Sequence, residues 1–155
     1  MRVRVGVRIG VDVGTVRIGV ARSDFHGILA TPVSTVPRGD GDVAELIRIS
    51  EEIEAIEVVV GLPIALSGRH TASTDDATRF AGQLAIASRL PVRLVDERLS
   101  SVSANAALRA SGRTSRNSRS VVDQVAAVII LQQALDFERS GDIPPGVLVD
   151  QDEGP

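Results

Sequence analysis

The first third of the chain follows the pattern of β-strands. From residue 5 to residue 13 the odd-numbered positions are all Val or Ile, which is the period of a strand with one face in a core. A turn containing Gly14 separates this strand from a second apolar stretch at residues 17–21, and a third strand is predicted at residues 28–36. Three strands in succession predict an antiparallel meander.

Further along, apolar residues at helical spacing predict four helices, and two short apolar runs predict strands. The helices are predicted at residues 42–56, 74–90, 100–110 and 120–139, and the strands at residues 57–61 and 92–97. Thr74 or Asp75 would cap the second helix, and a polar loop of Arg and Ser would precede the last one. This order of elements predicts an α/β fold, in which helices pack on a mixed sheet.

The composition fits one globular domain. With 155 residues, of which 43% are hydrophobic and 24% charged, the chain has the length and balance of a single compact unit. We predict that this domain spans residues 1–140 and that residues 141–155, which are acidic, form a flexible tail. The longest apolar run, residues 125–131, is too short to cross a membrane, and the amino terminus lacks the apolar segment of a secretion signal. A cytoplasmic protein is therefore expected.

Missing residue types exclude several kinds of chemistry. The chain has no Cys and no Lys, which excludes thiolate nucleophiles, zinc–thiolate sites, Schiff bases and the phosphate-binding lysine of P-loop proteins. Only His26 and His70 could act as imidazoles, so a histidine-rich metal centre is excluded as well. With three Phe and no Trp or Tyr, the chain has few platforms for stacking bases. Carboxylate chemistry remains, and a nucleic acid would be held mainly by its backbone.

Basic charge is concentrated in one segment, although the net charge is −3. Residues 98–119 contain five Arg and no acid, whereas residues 136–155 contain six acids and one Arg. We predict that four arginines of the basic segment bind nucleic-acid phosphates: Arg109, Arg113, Arg116 and Arg119. An ordinary solvated loop is the alternative interpretation of this segment.

Asp12 is the strongest candidate for chemistry on physical grounds. It lies within an otherwise apolar strand, where a charged carboxylate needs a cation or a hydrogen-bond donor. Its neighbours on the same face are Gly10 and Gly14, and the next strand presents Gly19 and Ala21. We expect this face, cleared of large side chains, to admit a bulky ligand beside the carboxylate. The alternative is an Asp that starts the following turn by bonding to local amides.

Two further acids have explanations that need no function. Asp96 and Glu97 end the last predicted strand, where alternation points them to opposite faces, and a solvated charge cluster would account for both. Asp123 follows Ser120 at the spacing of a capping box, and an acid in a first helical turn is favoured by the helix dipole. Pattern alone therefore leaves Glu97 and Asp123 undecided.

Four motifs occur together in the order and spacing of one family, and they cover nearly the whole chain. They are Ile9-Gly10-Val11-Asp12-Val13-Gly14-Thr15 with Arg17-Ile18-Gly19-Val20-Ala21, then Val59-Val60-Gly61-Leu62-Pro63, then Asp96-Glu97-Arg98-Leu99-Ser100-Ser101, and finally Asp123-Gln124-Val125-Ala126-Ala127. In these motifs the chain resembles the YqgF family, also called RuvX. The resemblance implies a ribonuclease H-like fold, with a mixed five-stranded sheet and helices on both faces. It also implies that Asp12, Glu97 and Asp123 are catalytic and bind the metal.

The function implied by this resemblance is metal-dependent hydrolysis of phosphodiester bonds. The family is related to Holliday junction resolvases and is associated with maturation of the 5′ end of 16S ribosomal RNA. We therefore expect a nuclease that acts on precursor 16S rRNA, in contact with ribosomal precursor particles, with branched DNA as the alternative substrate. Asp12 would bridge two Mg²⁺ or Mn²⁺ ions, and Glu97 and Asp123 would complete their shells. The sequence leaves open whether the protein is a monomer or a homodimer.

Two interpretations from other classes compete with the nuclease. The Asp-x-Gly-Thr turn after a strand also resembles the phosphate loop of the actin, Hsp70 and sugar-kinase superfamily, which would make the chain an ATP-binding phosphotransferase. Those proteins pair two such domains around the nucleotide, and 155 residues suffice for one. The other interpretation is a ribosome-assembly or nucleic-acid-binding factor that has the fold without the activity.

Overall fold

The computed structural model describes residues 4–97 and 115–149, with backbone alone for residues 115–122. Six strands are described: β1 (Val7–Val13), β2 (Arg17–Ser23), β3 (Ala30–Pro37), β4 (Ala55–Leu62), β5 (Val92–Asp96) and β6 (Val147–Leu148). Three helices accompany them: α1 (Asp42–Glu52), α2 (Ala72–Ser88) and α3 (Ser115–Gly141). The predicted helix at residues 100–110 lies outside the described residues. No helix within the described ranges is long and apolar enough to span a bilayer.

The strands form one mixed sheet in the order β3-β2-β1-β4-β5-β6. Strands β1, β2 and β3 pair antiparallel, as the predicted meander requires, and β1, β4 and β5 run parallel to one another. The α/β class and the mixed sheet are thus confirmed. The sheet has one strand more than the five predicted, because Val147–Leu148 pairs antiparallel with β5. Two residues are too few to give a periodic signal, so the sequence predicts this segment as part of the tail.

Helices cover both faces of the sheet, as predicted. On one face Ile9 and Val11 pack against Leu46 of α1 and against Phe80 and Leu84 of α2. On the other face a smaller cluster joins the sheet to α3, and it contains Ala21, Val59, Ala127, Ile130 and Leu131. The alternation along β1 therefore separates two cores, with Val7, Ile9 and Val11 directed away from α3.

Three helix ends differ from the predictions, each for a local reason. Helix α1 ends at Glu52 rather than residue 56, because Glu54 adopts a left-handed conformation (φ 56°) and β4 begins one residue later. Helix α2 begins earlier, because Thr71 is the N-cap and Thr74, the predicted cap, is its capping-box partner. Helix α3 begins at Ser115, so polar residues predicted as a loop form its first turns.

A candidate active site at the carboxyl ends of the parallel strands

The three predicted acids are positioned by elements that meet at one edge of the sheet. Strands β1, β4 and β5 are parallel, and ligands of such sheets bind beyond the carboxyl ends of the strands. Asp12 is the sixth residue of β1, Glu97 follows the last residue of β5, and helix α3 carries Asp123 across the sheet face. The topology therefore brings Asp12 together with two acids that are 85 and 111 positions away in the sequence.

Asp12 is the central acid of this group. It pairs with Gly19 in the β1–β2 register and lies on the same strand face as Gly10, which packs against α3. Burial raises the pKa of Asp12 to about 6, and repulsion by the Asp123 carboxylate adds to the effect. A carboxylate held in this way is stabilised by a nearby cation.

Glu97 approaches the same edge from β5. Its Oε2 lies where a side chain on Gly61 would be, since a Cβ added to Gly61 would be 2.6 Å from it. Burial raises the pKa of Glu97 to about 7, with further repulsion from Asp12 and then Asp96. Asp96 is exposed whereas Glu97 is partly buried. Because Gly61 has no side chain, Glu97 can occupy this position.

Asp123 reaches the site from α3 and is held there by Arg17. The Arg17 Nε donates a hydrogen bond of 2.9 Å to Asp123 Oδ2. Because α3 begins at Ser115, Asp123 lies in its third turn, and helix capping no longer accounts for this acid. Arg17 is not among the site residues that the sequence predicts. The available signal was its place in β2 on the same face as Gly19, which opposes Asp12.

The glycines beside Asp12 have a different role from the one predicted. A Cβ added to Gly19 would be 1.9 Å from the Asp123 carbonyl oxygen, and one added to Gly10 would be 2.6 Å from Leu131 Cβ. The space they leave is filled by α3 itself, so the prediction that this face admits a bulky ligand is wrong at Gly10 and Gly19. Their absent side chains let the helix approach closely enough to bring Asp123 beside Asp12.

The donors at this edge fit a divalent cation. Carboxylate oxygens are the protein ligands that Mg²⁺ and Mn²⁺ prefer, and a cation would relieve the repulsion between Asp12 and its two acidic neighbours. Within residues 4–97 and 123–149, no three His, Asp or Glu side chains already have the arrangement of a complete metal site. The acids are instead related in pairs, Asp12 with Glu97 and Asp12 with Asp123.

The predicted phosphate-binding arginines are only partly described. Arg109 and Arg113 lie outside the described residues. Arg116 and Arg119 belong to the first two turns of α3, where the backbone alone is described. Their positions place two basic residues on the helix that carries Asp123, on the amino-terminal side of that acid.

Known proteins resemble this chain over almost all of its length. The family model described as "RuvX: Holliday junction resolvase" matches residues 6–137. A Clavibacter michiganensis protein named "Putative pre-16S rRNA nuclease" is 63% identical over 149 residues, covering 94% of this chain and 92% of that protein. A Leifsonia xyli protein of the same name is 59% identical over 155 residues, covering 98% and 99%.

The fold has a counterpart among solved structures. Thermus thermophilus RuvC in complex with a Holliday junction substrate superimposes with a TM-score of 0.57 at 15% identity, covering 90% of this chain and 99% of that chain. At this identity the likeness concerns the fold alone, which is ribonuclease H-like. The predicted fold class is thereby confirmed.

Proposed function

The chain belongs to the RuvX family, and from this premise we propose that it is a metal-dependent nuclease that matures the 5′ end of precursor 16S rRNA. The observation that carries the proposal is the position of Asp12 near the carboxyl end of β1, where charge repulsion from Asp123 raises the pKa of Asp12 and repulsion from Asp12 raises that of Glu97. The curated relatives, which are named for pre-16S rRNA, support the choice of substrate.

We assign the binding of Mg²⁺ or Mn²⁺ to Asp12, Glu97 and Asp123. A divalent ion bound there would activate the attacking water and neutralise charge on the phosphoryl oxygens. Asp12, fixed within β1, supplies the central ligand, and Glu97 and Asp123 approach it from β5 and from α3. The close packing of α3 on Gly10 and Gly19 fixes the acid on the helix relative to the acid on the strand.

Substrate binding is assigned to the basic segment that leads to Asp123. Phosphate contacts from arginine give affinity without reading sequence, which suits a chain with few aromatic residues. The proposed contacts come from Arg109, Arg113, Arg116 and Arg119. We further propose that the protein works in the cytoplasm on ribosomal precursor particles, where precursor 16S rRNA is found.

Cleavage of two substrates in parallel tests this function. The protein is incubated with a precursor 16S rRNA leader and, separately, with a four-way DNA junction, each with and without Mn²⁺. We expect Mn²⁺-dependent cleavage of the RNA and an intact junction. Preferred cleavage of the junction would instead support a resolvase. ATP binding without cleavage of either substrate would support the phosphotransferase, which the matched family and the curated relatives do not favour.

A further inference from the structure

Arg17 is positioned to bind a second group in addition to Asp123. It is the first residue of β2, and 34% of its side chain is exposed, compared with 18% for Asp123. The Arg17 Nε donates the hydrogen bond to Asp123 Oδ2. A guanidinium carries five N–H donors, so the two Nη groups keep donors that can be directed to solvent at the edge of the site. Arg17 therefore has an anionic partner on its inner side and access to solvent on its outer side.

We propose that Arg17 exchanges partners during the reaction, from Asp123 in the metal-free protein to a phosphate oxygen of the bound nucleic acid once a divalent cation holds Asp123. This inference rests on the proposed function, because it assumes both a metal and a phosphodiester substrate. It identifies a phosphate-binding residue within the site, separate from the arginines of residues 98–119.

Charge balance at the site supports the exchange. Arg17 forms an ion pair with Asp123, which is close enough to Asp12 to raise the pKa of that acid. A divalent cation brings more positive charge to the same carboxylate and competes with the guanidinium. Such coupling is reciprocal: if the cation weakens the bond between Arg17 and Asp123, then Arg17 must weaken the binding of the cation.

The backbone restricts how the exchange can occur. Gly19, two residues after Arg17, packs directly against the backbone of Asp123, and this contact fixes β2 relative to α3. Arg17 can therefore leave Asp123 only by rotating its side chain, and its partly exposed position permits that rotation. Planar guanidinium donors match the oxygens of a phosphate as well as those of a carboxylate.

The test compares Arg17→Gln with the wild type in two binding measurements. Calorimetric titration with Mn²⁺ alone should show binding about tenfold tighter in the variant, since a neighbouring positive charge is removed. Fluorescence anisotropy with a labelled precursor leader RNA, with Ca²⁺ in place of Mn²⁺ to limit cleavage, should show binding roughly tenfold weaker. A misfolded variant would lose affinity for both Mn²⁺ and RNA. A rise in Mn²⁺ affinity together with a fall in RNA affinity therefore identifies the exchange.

Two further variants complete the design. Arg17→Lys keeps the charge but loses the planar donors, so Mn²⁺ affinity should stay near the wild-type value while RNA affinity falls. Arg22→Gln removes an arginine from the other face of the same strand and should change neither affinity. An Arg17→Gln variant that binds Mn²⁺ no more tightly than the wild type, or RNA just as well, overturns the inference. A wild type that binds Mn²⁺ and RNA but cleaves no RNA contradicts the proposed function alone, because both tests of the exchange measure binding and not cleavage.

Discussion

Charged groups are buried at both ends of this sheet, and the two regions differ in how the charge is balanced. At the end opposite the site, Glu57 and Glu138 are bonded by Arg4, Arg8 and Arg93, which we call the arginine network. Arg4 donates to Glu57 at 2.8 and 3.0 Å, and Arg8 donates to Glu138 at 3.0 Å. Arg8, Glu57 and Glu138 are 1%, 0% and 5% exposed. Because the arginine network contains three arginines and two glutamates, its cations outnumber its acids.

At the candidate site, acids outnumber cations among the residues whose side chains are described: Asp12, Glu97 and Asp123 compared with Arg17. Burial alone would raise the pKa of Glu138, but the hydrogen bond from Arg4 and the charges of Arg4 and Arg8 outweigh it, and the pKa is lowered. Asp12 and Glu97 keep the raised pKa values that burial and acidic neighbours give them. A buried carboxylate therefore does not by itself indicate a site. Neighbouring carboxylates with raised pKa values do indicate a candidate site, because a proton or a bound cation relieves the repulsion between them.

Replacing the central acid should have the largest effect. We expect Asp12→Asn to lower Mn²⁺-dependent cleavage by at least about a thousandfold, because the proposed metal site would lose its central ligand. The variant should unfold at the wild-type temperature or higher, since burial of a charged Asp12 is unfavourable. Cleavage rates and thermal unfolding are measured on the same preparations. Asp136→Asn, the same change at an exposed acid of α3, is the matched control and should be neutral.

The same kind of substitution in the arginine network should have the opposite consequence. Glu138→Gln removes the carboxylate bonded to the fully buried Arg8 and leaves Arg4 with Glu57 alone, which should lower the free energy of unfolding by about 3 kcal/mol. Activity per folded molecule should stay near the wild-type value, because this glutamate is at the far end of the sheet. Urea titration and single-turnover cleavage separate the two effects. Glu45→Gln, which breaks an exposed pair with Arg48, should cost much less.

If Glu138→Gln abolished cleavage in folded protein, or if Asp12→Asn unfolded the chain, the distinction between the two regions would be wrong. Both results can be read from unfolding and activity data on two variants and their two controls.

A glycine substitution examines how the site is held together. Gly19→Ala would place a Cβ 1.9 Å from the Asp123 carbonyl oxygen, so α3 must move and take Asp123 with it. We expect a loss of about 2 kcal/mol in unfolding free energy and weaker Mn²⁺ binding. Gly82→Ala in α2 is the control, because nothing lies within 4 Å of the added Cβ and a helical Ala should stabilise by roughly 0.5–1 kcal/mol. Equal Mn²⁺ affinity in both variants would contradict the proposed role of Gly19.

Much of the fold could be predicted from period alone, and the exceptions have physical causes. The alternation in β1 and the apolar stripe of α2 give signals over many residues, and both elements are present. Strand β6 has two residues and owes its pairing to β5, which no local pattern reveals. The first turns of α3 are polar, so their residues predict a loop.

The site was less predictable than the fold because its contacts are long-range. Asp12 could be singled out as an acid in an apolar strand, whereas Glu97 and Asp123 required the family resemblance. The bond from Arg17 to Asp123 joins residues 106 positions apart, and no spacing within either segment indicates it. The sequence shows that Gly10 and Gly19 lack side chains beside Asp12. It does not show that α3 crosses that face and fills the space which these glycines leave.

The smallest expected effect is a pH dependence that should distinguish the two regions. The pKa of Asp12 rises from 3.8 to about 6 and that of Glu97 from 4.5 to about 7, so the folded protein binds more protons than the unfolded chain between these limits. The stability of the metal-free protein should therefore fall as pH rises from about 4 to about 7 and then level off.

Mn²⁺ needs both carboxylates deprotonated, so its affinity should rise about tenfold between pH 6 and pH 7 and little above pH 8. Glu138 contributes with the opposite sign, because its lowered pKa gives stability that is lost as pH falls. Glu97→Gln should remove most of the change in Mn²⁺ affinity above pH 6, and Glu138→Gln should preserve it. Calorimetric titrations at pH 6, 7 and 8 with both variants decide the matter, and a pH-independent affinity in the wild type would show that these two acids do not bind the metal.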